Sequence, residues 1–161
     1  VDREKVSEEA EMASHTLRSD STRVNLVTMV VLRVVSAGLL LTMGWIHYYL
    51  WAYVGFNTGV VGVLFLINGI VSALLALAVL FMPGRMLGIT AALSSLFTLG
   101  TLAALLGSMW FGLFGFYESV QTPLVPTTLV IEPIGVIVLA VLAVVAARQD
   151  GMWRWLPSKQ Q

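Results

Sequence analysis

The chain has 161 residues, 58% hydrophobic and only 11% charged, where a soluble domain carries about a quarter of charged residues, so a water-soluble globule is excluded. Nine basic residues balance nine acidic ones and gather on no single face, which removes nucleic acid as a partner. No cysteine is present, so disulfides, thiolate metal sites, iron–sulfur clusters and covalently attached haem are ruled out in this chain.

Residues 1–25 hold the acids Asp2, Glu4, Glu8, Glu9, Glu11 and Asp20 beside the bases Arg3, Lys5, Arg18 and Arg23, with almost no large apolar side chain. Such a segment cannot pack a core alone and reads as a charged, mobile tail, in which Ser7 and the acids after it open at most a short solvated helix. Four apolar runs follow, at about 26–49, 59–82, 86–110 and 126–147, each long enough for a bilayer core of roughly 30 Å. The first run exceeds a signal-peptide core and lacks a small-residue cleavage site, so it reads as a retained helix. It ends among Trp45, Tyr48, Tyr49, Trp51 and Tyr53, rings that favour the headgroup level. Pro83-Gly84-Arg85 predicts a tight turn between the second and third runs, and Pro126 is placed to open the fourth. Residues 148–161 form a short tail.

Threading the four runs puts all nine Lys and Arg on one side: Arg3, Lys5, Arg18, Arg23 and Arg33, then Arg85, then Arg148, Arg154 and Lys159. Cytoplasmic loops keep Lys and Arg, so both termini are expected inside. Short loops make consecutive helices antiparallel neighbours, which gives an all-α, four-helix up-down membrane bundle. Small residues at four-residue spacing, such as Gly69 and Ala73 or Gly100 and Ala104, predict close helix packing.

Three ionisable residues fall within the runs, where a charge costs roughly 2.5 to 3.5 kcal/mol and rarely faces lipid. Arg33 is about 10 Å from its helix start at 1.5 Å per residue, near enough to snorkel to the headgroups. His47 ends the stripe Arg33, Ser36, Leu40, Gly44 and His47, whose spacing marks one inward face. Glu132 precedes Pro133, which withdraws the backbone donor of the Leu129 carbonyl and predicts a kink beside an acid. That acid is expected either bonded to backbone or paired with His47. Asn68 has an amide that its own helix cannot satisfy, and Glu118 is the one charge in the second aromatic-rich loop. His47, Glu132 and Asn68, with Glu118 at the mouth, form the candidate polar site. The hydroxyls of Thr90, Ser94, Thr98 and Thr101 read as packing groups bonded to their own helix. No cofactor, metal set or catalytic nucleophile is assigned, and a stand-alone enzyme is not expected.

The segments Ile46-His47-Tyr48-Tyr49-Leu50-Trp51, Gly55-Phe56 and Gly62-Val63-Leu64-Phe65-Leu66-Ile67-Asn68, with Gly112 to Glu118 and Glu132, resemble a group of uncharacterised four-span membrane proteins of high-GC Gram-positive (actinobacterial) bacteria. The resemblance covers most of residues 30 to 147 and implies the bundle and a bacterial plasma-membrane location, without an activity. The functional expectation is an accessory or ligand-holding membrane component, with the bilayer, a larger membrane complex or a second copy as partners. A small proton-coupled transporter using Glu132 and a haem- or quinone-binding redox subunit using His47 are the alternatives.

Overall fold

The computed structural model describes residues 2–149, with side chains from 26 to 149. All of its regular elements are helical: α1 (Asp2–Tyr49), a π-helical turn (Leu50–Val54), α2 (Gly59–Phe81), α3 (Gly84–Trp110) and α4 (Val125–Gln149). Among the described residues, four helices are long and apolar enough to cross a membrane, over Leu26–Val54, Gly59–Phe81, Gly84–Trp110 and Val125–Gln149. These limits follow the apolar runs because a helix satisfies its backbone within itself, as a lipid environment requires. The backbone helix of α1 continues back to Asp2, through the segment expected as a tail, while the expected C-terminal tail lies outside the described residues beyond Gln149. Large side chains such as Leu74, Leu96 and Ile137 are exposed around the outside, a surface suited to lipid rather than water.

The first helical span ends a few residues later than its aromatic cluster predicts, through the π turn. Gly55 closes that turn at φ 97°, and both its N–H and that of Phe56 reach the Leu50 carbonyl. The α2–α3 connection is as tight as Pro83 predicts, with Met82 and Pro83 extended between the helices.

Helix α1 packs along α2 and α4, and α3 packs along α4, whereas the seam between α2 and α3 is the loosest of these four. Contacts between α1 and α2 step in opposite directions: Arg33 meets Leu80, Gly44 meets Ser72 and His47 meets Phe65. Arg33 does not simply reach for headgroups. Its guanidinium donates to the Leu80 carbonyl at 3.0 Å, one of the acceptors left free at the α2 C-terminus, where a cation is also favoured by the helix dipole. The Ser95 hydroxyl ties α3 to α4 by donating to the Val136 carbonyl at 3.0 Å.

The main cluster of buried apolar side chains lies toward the half nearest Pro83. Leu40, Met43, Val79, Leu87, Leu139 and Leu142 fill it, with Ala37, Ala76, Ala91 and Ala146 letting the helices approach. The opposite half, which carries the loops 55–58 and 111–124, is hollow.

Candidate functional site

The hollow half contains a cavity of about 390 Å³. Its wall takes Ile46, His47 and Leu50 from the first span, Leu64, Phe65 and Asn68 from α2, Phe97, Gly100 and Thr101 from α3, and Thr128 and Glu132 from α4. The loop 111–124 adds Leu113, Phe116 and Glu118. All four side chains singled out from the sequence, His47, Asn68, Glu118 and Glu132, therefore line one space, although they come from four separate segments.

The loop folds over this space by a local rule. Leu113 and Phe116 exchange two backbone hydrogen bonds of 2.8 Å, with Phe114 and Gly115 at φ 53° and 80° between them, the positive pair that a tight hairpin of this kind needs. That turn sends Phe116 inward. Its ring meets Phe56 edge-on at 5.1 Å, Phe56 meets Phe65 at 5.4 Å, and Phe65 lies 5.2 Å from the His47 ring. The two Gly-Phe pairs of the sequence, at 55–56 and 115–116, thus meet each other and close the cavity at its loop end.

His47 is half-buried, with Nδ1 2.9 Å from the Met43 carbonyl. A carbonyl only accepts, so Nδ1 carries the hydrogen and a neutral ring leaves Nε2 as a bare acceptor. Asn68 accepts at Oδ1 from the Ser72 hydroxyl at 3.2 Å, which leaves its NH₂ as the available donor. Glu118 accepts the Ser119 N–H at Oε1, 3.0 Å away, and its own N–H reaches the Ser108 carbonyl at 3.4 Å, so the carboxyl is part of how the loop is held.

Glu132 is 1% exposed, and neither carboxyl oxygen has a hydrogen-bond partner. Both arrangements expected from the sequence are absent: it bonds no backbone group, and His47 is turned to Met43 instead. The hydroxyl of Thr101, which shares the cavity wall, is also engaged elsewhere, donating to the Thr98 carbonyl at 2.8 Å with the Met43 sulfur 3.6 Å away. Behind Glu132 lies a narrow gap among Leu39, Leu40, Thr98 and Gly135 with no room for a water molecule. Helix α4 is continuous through Pro133, and Leu129 does not line the cavity, so the carbonyl expected to bend into the polar site stays outside it.

The hydroxyls of α3 behave as expected of packing groups: Ser94 donates to Thr90 and Thr98 to Ser94, at 2.8 and 2.9 Å. Sequence reasoning did not single out the Oγ of Ser36, which is fully buried without a partner, although its place on the inward stripe was the available signal. Nor did it find the wall residues Phe65, Thr101 and Thr128 as site members, since apolar and hydroxyl side chains are everywhere in such a chain. Among the described residues, no group of three or more His, Cys, Asp and Glu is placed to hold a metal ion. No protein-family model matches the chain, and neither a curated protein nor a solved structure shows a significant likeness to it.

Proposed function

We propose that this is a small multi-pass membrane protein that holds a small-molecule ligand, as an accessory or carrier-like component without chemistry of its own. One observation supports the reading above the rest: a single apolar cavity into which three of the spans and a loop bring four polar side chains. Binding sites for small molecules have this composition, a largely apolar wall with a few placed polar groups. The proposal includes up-down order with both termini on the cytoplasmic side, from the distribution of Lys and Arg, and a bacterial plasma-membrane location, from the resemblance of the His47 and Glu118 segments.

Native mass spectrometry of the protein extracted from its own membrane in mild detergent tests the ligand-holding reading, which expects extra mass of small-molecule size. A bare chain that also binds no lipid-soluble probe overturns it. Impermeant labelling of single cysteines at positions 57 and 158 tests the orientation, since the chain has no cysteine of its own. Labelling of Asn57→Cys alone is expected, and labelling of Ser158→Cys in intact cells refutes it.

A proton-coupled carrier is the second reading, favoured by the unpartnered carboxyl of Glu132. In proteoliposomes Glu132→Gln then abolishes pH-dependent transport while the protein stays folded, and unaltered transport removes this reading.

A further inference from the structure

We infer that the cavity takes an uncharged, hydroxyl-headed lipid sideways from the bilayer through the gap between α2 and α3, and holds the hydroxyl between His47 Nε2 and the Asn68 amide. The inference rests on the ligand-holding reading and adds to it the ligand class and the route.

Charge narrows the class first. The cavity wall includes no Lys or Arg but two carboxyls, Glu118 and Glu132, so a phosphate or carboxylate head would leave water without a cation to meet it. A cationic head is no better served. The Glu132 oxygens are covered, and Glu118 keeps only Oε2 free, its Oε1 accepting from the loop backbone.

Hydrogen bonding narrows it further. His47 offers a bare acceptor at Nε2 because Nδ1 is held by the Met43 carbonyl, and Asn68 offers donors because Ser72 holds its oxygen. Neither atom is a buried orphan like those of Glu132, so both remain accessible on the wall. They also lie at one level. Along the α1–α2 seam His47 meets Phe65 and Gly44 meets Ser72, and Asn68 falls between those contacts. An acceptor beside a donor matches a hydroxyl, which donates and accepts at one oxygen. A ketone, ether or ester accepts only and leaves Nε2 unpaired.

The route follows from which sides are shut. Phe116, Phe56 and Phe65 close the loop end, and the core closes the other. The α2–α3 seam, the loosest of the four, leaves Leu64, Ile67, Gly100 and Ala104 both on the cavity wall and at or near the outer surface. Gly100 marks the opening, since a Cβ built there meets no atom within 4 Å. The wall runs along α3 from Phe97 to Ser108, about 16 Å at roughly 1.5 Å per residue, so it accepts a chain and not just a head.

The test uses the full chain in phosphatidylcholine nanodiscs with farnesol as probe, and farnesyl methyl ether and farnesyl phosphate as the acceptor-only and anionic analogues. Farnesol is expected to bind, the ether at least about tenfold more weakly because a buried acceptor goes unpaired, and the phosphate not at all. His47→Phe keeps a ring against Phe65 and is expected to erase the difference between farnesol and the ether. Gly100→Leu is expected to abolish binding of both, while Gly107→Leu, also in open space but off the cavity wall, changes neither. Equal affinity for farnesol and its ether, preference for the phosphate, or displacement of farnesol by tetraphenylphosphonium overturns the ligand class. Unchanged binding in Gly100→Leu overturns the route. A co-purified small-molecule mass without farnesol binding defeats this inference and leaves the ligand-holding reading intact, whereas absence of both defeats the two together.

Discussion

Helix α2 has two neighbouring seams built from similar residues and opposite in outcome. Against α1, Gly69 and Gly44 bring the backbones together so closely that a Cβ on Gly44 would sit 2.9 Å from the Ser72 Cβ and 3.1 Å from the Gly69 carbonyl. Against α3, Gly100 and Ala104 have the same small-residue spacing and line the hollow, with open space beside Gly100. The pattern that predicts contact in the first seam marks a vacancy in the second. Small residues permit approach without causing it; what draws two helices together is the packing and bonding on either side. The α1–α2 seam has such ties in Arg33 to Leu80 and His47 on Phe65, while α2 and α3 are joined at Pro83 and meet mainly near that turn.

The sharpest way to break the contrast is Gly44→Leu. Overpacking the closed seam is expected to cost about 3 kcal/mol, read as a lower unfolding midpoint in detergent. A neutral result would mean that the seam is not close-packed. Next comes Glu132→Leu, which replaces an unpartnered buried carboxyl with an apolar side chain of similar size. A gain of up to about 2 kcal/mol is expected, because a desolvated polar group is removed and the neighbouring Thr101 hydroxyl keeps its bond to the Thr98 carbonyl. Destabilisation would show that the carboxyl has a partner. Ser72→Ala removes the hydroxyl that holds the Asn68 oxygen and is expected to cost about 0.6 kcal/mol, the average for such bonds in membrane helices. Smallest of all, Gly100→Leu should leave the midpoint within about 0.5 kcal/mol of the parent, as a substitution into open space. A large loss there would mean that α2 and α3 are packed together at Gly100 and that no gap separates them.

Much of this arrangement is legible in the order of the residues. Apolar run length fixes the four spans to within a few residues, because in lipid a helix must satisfy its own backbone. The 3,4,4,3 spacing of Arg33, Ser36, Leu40, Gly44 and His47 identifies the inward face of α1, and Ser36, Leu40 and Gly44 are buried. The same reading of polar residues names His47, Asn68, Glu118 and Glu132, which line one cavity. What it misplaces is their bonding. Whether His47 turns to Glu132 or to Met43 depends on a ring torsion that spacing does not encode, and the local carbonyl one turn back is always within reach. The roof was equally hidden, since it depends on Phe114 adopting a positive φ that its residue type does not favour. The partner of Arg33 was missed for a similar reason: an acceptor on another helix leaves no mark on the sequence around the arginine.

The bond from Arg33 to Leu80 also bears on the order of assembly. The ties of the closed seam, from Arg33 to Leu80, Gly44 to Ser72 and His47 to Phe65, all lie within the first 81 residues. A nascent chain that has delivered α1 and α2 already holds all the partners of that pair, and N-terminal units fold first during synthesis. The second pair, tied by Ser95 to Val136, then docks onto a finished surface along α4. Translation halted after Pro83 should therefore leave a protease-resistant helical hairpin, with His47 and Asn68 already set on their helices before any cavity exists around them.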